Sequence, residues 1–132
     1  MGDREVSMRI TIQGSLPSLN EYIRAERTNL YMAAKMKREA TERVCLYSRN
    51  YKGRSIPVPV HITFTWYIKN RRKDLDNCAF AKKFCMDGLV KAGVLAADSQ
   101  KYVSGFTDEF RIDKNERVEV QIETIPPIRK SI

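Results

Sequence analysis

The stretch Val58–Ile68, VPVHITFTWYI, constrains the fold more than any other part of the chain. Val58, Val60, Ile62, Phe64, Trp66 and Ile68 fall on one side of an extended backbone, and Pro59, His61, Thr63, Thr65 and Tyr67 fall on the other. A strand with one wholly apolar face must be covered by a second layer. Leu30–Tyr47 offers that layer. Ala33, Met36, Ala40, Val44 and Tyr47 recur at three- and four-residue steps, which predicts an amphipathic helix. Core packing is a sufficient account of this stripe.

The rest of the chain supplies partners for these two elements. Met8, Ile10 and Ile12 alternate with polar residues and predict a first strand. GSLPSLNEYIRAERTN, with Gly14, Pro17, Ser18 and Asn20, reads as a loop. Helix is expected again over about 77–92, stopped by Gly93. Tyr102–Arg111 and Val118–Glu123 are two further strands joined by the polar turn IDKNER. The expected fold is α/β or α+β, a single small domain over residues 1–132. It has a mixed β-sheet of about four strands and two main helices. Pro126 to Ile132 reads as a short basic tail.

Charge and cysteine content narrow the function classes. The net charge of +8 favours polyanion partners, nucleic acid first. No apolar run reaches the roughly 18–20 residues of a membrane span, so no membrane association is expected. The acidic, polar start MGDREVSMRI is no signal peptide. Cys45, Cys78 and Cys85 form no CxxC pair and His61 is the only histidine, which excludes an ordinary zinc site. Free thiols suit a reducing cytoplasm. His61, on the polar side of its strand, reads as an ordinary sheet histidine.

RRKDLDN, Arg71 to Asn77, lies where the long strand ends and a helix begins, a position where sites gather in sheets flanked by helices. In extended backbone Asp74 and Asp76 would point to one side while Leu75 turns inward. Two anions held together call for a hard divalent cation such as Mg²⁺ or Mn²⁺. The alternative is structural: Asp76 or Asn77 caps the helix, and Asp74 pairs with Arg72. An EF-hand is excluded, because Cys78 and Ala79 stand where its loop needs an acid or amide and then glycine. Asp98, in VLAADSQKYV, is a third acid that the intervening helix can carry back toward the pair. Three carboxylates and a metal would activate water and stabilise a transferring phosphoryl group. Arg71, Arg72 and Lys73 beside them would draw in a phosphodiester backbone.

The ordered set RRKDLDN, MDGLVKAGVL and DSQ resembles the RusA family of Holliday junction resolvases, and SLPSLNEYIRAERTN is similar to that family's early proline-and-asparagine loop. The resemblance implies that Asp74, Asp76 and Asp98 bind Mg²⁺, with Mn²⁺ as a substitute, and that Asn77 is the asparagine beside them. Phe80 stands where a catalytic lysine is expected. Counting back from the D-G-L motif moves that role to Lys83, with Lys82 about 100° away around the helix. Ala97 stands where an acid often precedes the third aspartate. The implied function is a crossover junction endodeoxyribonuclease acting as a homodimer on four-way junctions in recombination and repair. Its expected location is the cytoplasm of a bacterial or phage-bearing cell. Two symmetric nicks ask for two symmetric sites. Arg24, Arg27 and the cations around Arg49–Arg54 would grip the junction arms. The rival is a non-catalytic module that holds branched DNA.

Overall fold

The computed structural model describes residues 6–72 and 74–125. Lys73 and the basic tail at 126–132, both named above, lie outside the described residues. The chain runs β1 (Ser7–Gln13), α1 (Leu19–Thr28), α2 (Leu30–Tyr47), a 3-10 turn (Arg49–Tyr51), β2 (Val60–Ile68), α3 (Leu75–Ala79), α4 (Lys82–Lys91), β3 (Val103–Ile112) and β4 (Arg117–Thr124). The strands form one mixed sheet in the order β1-β4-β2-β3. β4 pairs antiparallel with both β1 and β2, while β2 and β3 are parallel. This is the small α+β domain expected, with a four-stranded mixed sheet.

The alternation in β2 does what the pattern demands. Val60, Ile62, Phe64, Trp66 and Ile68 are buried and the intervening residues are half-exposed, but Val58, expected on the same apolar side, lies before the strand and is exposed. On the far face His61 hydrogen-bonds to Thr107 across the strands at 2.7 Å, as an ordinary sheet histidine. α2 spans the expected residues and buries Ala33, Ala40 and Val44 of its stripe, while Met36 is half-buried and Tyr47, at the last turn, is exposed. It packs on α4 at very short range. A Cβ added at Gly88 would sit 2.5 Å from that of Val44 and 3.0 Å from the Thr41 carbonyl oxygen. Gly93 ends α4 with positive φ in a Schellman closure, its N–H on Val90 and that of Val94 on Leu89.

Two local expectations are corrected. The stretch after β1 is not a loop throughout, because α1 occupies Leu19–Thr28. Ser18 accepts the N–H of Glu21, and the Glu21 carboxylate accepts the N–H of Ser18. The serine that reads as a turn residue is half of a capping box. The helix expected over 77–92 is also broken. Ala81, Lys83 and Phe84 donate to carbonyls three residues back, which separates α3 from α4.

Candidate active site

The end of β2 is fixed by the Ile68 carbonyl, which accepts the N–H of Asp113 at 2.9 Å. The chain then turns, with the Asn70 side chain accepting the N–H of Arg72. Asp74 occupies the N-cap position of α3 in extended backbone, but its side chain makes no capping hydrogen bond. Asp76 lies in the first helical turn and accepts the N–H of Asn77. The two acids therefore do not share one extended segment, and Leu75 between them is half-exposed rather than turned inward. Both carboxylates are exposed, as are Arg71 and Arg72. Among the described residues, no ion pair joins Arg72 to Asp74.

Asn77 has a structural duty. Its side-chain oxygen accepts the N–H of Asn20 at 2.9 Å, so it satisfies a donor at the start of α1 that the capping box leaves open. That bond ties the acid-bearing helix to α1, and no pattern in the sequence signals it. Phe80 is also accounted for. It packs in an aromatic cluster with Tyr22 and Phe84, each 5.6 Å away between ring centres.

The two candidate lysines differ sharply. Lys82 Nζ lies 2.6 Å from Asp108 Oδ2, and Trp66 Nε1 donates to the other oxygen of that carboxylate at 2.9 Å. Its ammonium also sits 5.1 Å from the Phe106 ring centre and 5.6 Å from that of Phe64. Lys82 is thus held in a half-buried network. Lys83 is exposed in the first turn of α4.

Asp98 does not approach the pair within one chain. The route from α3 through α4 carries the chain across the sheet and back to the start of β2, because β3 runs parallel to it. The stretch from Leu75 to Lys91 rises about 25 Å at 1.5 Å per residue, close to the length of a strand like β2. Asp98 then lies beside the start of both strands. Leu95 bridges to Ile56, Tyr102 bonds to Val60, and Ser99 accepts the N–H groups of Tyr102 and Val103. The acid pair lies beyond the other end of β2. Consistent with this, no group of three or more His, Cys, Asp or Glu among the described residues could hold a metal ion. The three carboxylates of a single chain do not fit one ion.

Arg24 and Arg27 are exposed along α1, which starts at Asn77 and leads away from it. No described helix is long and apolar enough to cross a membrane.

The fold and site together define a small basic α+β protein with exposed carboxylates and arginines gathered at a strand end. The family comparison makes this specific. Residues 14–123 match the family described as Endodeoxyribonuclease RusA, and the chain belongs to that family of DNA-cutting enzymes. No curated protein matches the chain.

Proposed function

We propose that the protein is a homodimeric, Mg²⁺-dependent endonuclease that resolves Holliday junctions by paired symmetric nicks. Family membership supports the chemistry. The observation that carries the dimer is the parallel pairing of β2 with β3. It leaves Asp74 and Asp76 at one end of an edge strand and Asp98 at the other. If two copies pair their β3 edges antiparallel about a two-fold axis, the start of each strand meets the end of the other. Asp98 of each copy then comes beside Asp74 and Asp76 of the second. The β3 edge suits such a partner: Phe106, Ile112 and the neighbouring Leu75 are half-exposed, and an open apolar edge invites strand pairing.

In this reading Asp74, Asp76 and the second copy's Asp98 are the residues that would hold the ion. Bound Mg²⁺ supplies a Lewis acid that polarises the phosphate and lowers the pKa of water. Lys83, exposed and unburdened by the Asp108 network, stabilises charge on the phosphate or the leaving oxygen. Arg71, Arg72 and Lys73 hold the backbone near the cut, and Arg24 and Arg27 hold it farther away. Asn77 positions α1 against α3. The test incubates a labelled four-way junction with Mg²⁺ and either the wild type or Asp76→Asn. Nicking by the wild type alone is expected. Binding without nicking by the wild type, or equal nicking by both, overturns the proposal.

One observation favours the second reading, a non-catalytic module for branched DNA: a single chain gathers no metal-holding acid cluster among its described residues. That reading requires salt-sensitive junction binding that EDTA leaves unchanged, and no cleavage at any protein concentration.

A further inference from the structure

The corner between α1 and α2 is built from one residue, Asn29, which ends the first helix and caps the second through its side chain on the N–H of Met32. Directly after it come Leu30, Tyr31 and Met32, with 80%, 68% and 44% of their surface exposed. Three consecutive residues cannot all lie on the buried stripe of α2, and here none is buried. Across the hairpin from 19 to 38 only Ala25 and Ala33 are buried. The corner therefore projects from the body and presents apolar groups at its tip. Arg24, Arg27 and Lys35 flank it, all exposed, with Glu26 as the acid among them. Tyr31 and Lys35 share one helical side at four-residue spacing.

We propose that this corner is a wedge for the unstacked bases at a DNA branch point, with Leu30 and Tyr31 against the base faces and Arg24, Arg27 and Lys35 on the phosphates around them. The chemistry matches what such bases offer. Apolar side chains insert where stacking is broken, and aromatic rings stack on any exposed base. Charge decides against a second copy as the occupant. A two-fold contact would set the same cationic rim against itself, and those cations would repel. Position supports the assignment too. The far end of α1 is bonded to Asn77, beside Asp76, and ten helical residues span about 15 Å. At about 3.4 Å per nucleotide, the wedge would meet the DNA four or five nucleotides from the cut.

The inference rests on the branched-DNA part of the proposed function but not on catalysis, so it is tested without cleavage. The full chain and a Leu30→Ser/Tyr31→Ser variant are titrated in EDTA against a four-way junction carrying 2-aminopurine at the branch point. A linear duplex of the same sequence is run in parallel. The wild type should raise the fluorescence as the base unstacks. The variant should bind the junction about tenfold more weakly or worse, keep duplex affinity within about twofold, and give no rise. Unchanged junction affinity with an unchanged fluorescence rise overturns the wedge even if Mg²⁺ later supports nicking. A change in sedimentation of the variant overturns it in favour of a protein contact. A wild type that binds and unstacks the junction but never nicks leaves the wedge standing and removes the nuclease reading. A wild type that does not bind branched DNA overturns both.

Discussion

Replacing Lys82 and Lys83 singly by methionine separates a structural lysine from a chemical one. Methionine preserves most of the aliphatic stem, so Lys82→Met keeps contact with Phe64 and Phe106 but loses the 2.6 Å charged bond to Asp108. Asp108 retains only its bond from Trp66. Both partners of the lost pair are about one-quarter exposed, at 24% and 26%, so solvent screens part of the loss. A value between surface pairs and buried pairs is about 1–2 kcal/mol. For a chain of this length that lowers Tm by roughly 3–10 °C. Lys83 is exposed and should change stability by no more than about 0.5 kcal/mol. Thermal unfolding by circular dichroism and junction cleavage, measured on both variants, give the comparison. Lys82→Met should melt early and still cut below its Tm, and Lys83→Met should melt normally and cut poorly. If Lys82→Met melts normally without cutting while Lys83→Met cuts normally, the assignment of the two lysines is reversed.

Four further outcomes follow from particular contacts. Gly88→Ala should destabilise by about 1–3 kcal/mol despite alanine's better helix propensity, since the added Cβ meets Val44 and the Thr41 carbonyl; chemical denaturation reads it directly. Asn77→Ala removes the acceptor for Asn20 N–H, so hydrogen exchange at the start of α1 should accelerate while α2 stays protected. Burial pushes the Cys85 thiol up to about 12, with Arg43 and Lys82 pulling weakly the other way. In the native protein, a thiol reagent at neutral pH should label the half-buried Cys45 and Cys78 and spare Cys85 until denaturant is added. The Asn115 backbone N–H, followed by Arg117, outweighs slight desolvation and holds the Asp113 carboxyl below its usual value. Its small contribution is present above the unfolded pKa and is lost as pH falls through the folded one, and an NMR titration of its carboxyl carbon would check the direction.

Much of the fold was legible because its strongest signals are periodic. β2 alternates without a fault, the α2 stripe runs from Ala33 to Val44, and Gly93 stops α4 where a positive φ is needed. α1 escaped because Ser18 and Asn20 favour turns and helix starts alike, and only the Glu21 partner tells them apart. The break at Phe80 escaped because packing against Tyr22 and Phe84 is a tertiary event. The candidate acids could be named from their motif, but not their arrangement. A helix after a strand reverses the chain, yet only the direction of the next strand decides which end of the sheet the following residues reach. Here β3 is parallel to β2, which takes Asp98 to the opposite end.

Subunit complementation tests the central claim most directly. Asp76→Asn and Asp98→Asn are purified separately, mixed under conditions that allow subunit exchange, and given a labelled four-way junction with Mg²⁺. If each site draws its acids from two copies, every mixed dimer carries one site with both substitutions and one intact site. The separate variants should then be inactive. The mixture should nick with about a quarter of the wild-type sites and give singly nicked junctions rather than resolved duplexes. A mixture as inactive as its components, despite demonstrated subunit exchange, would contradict the shared site.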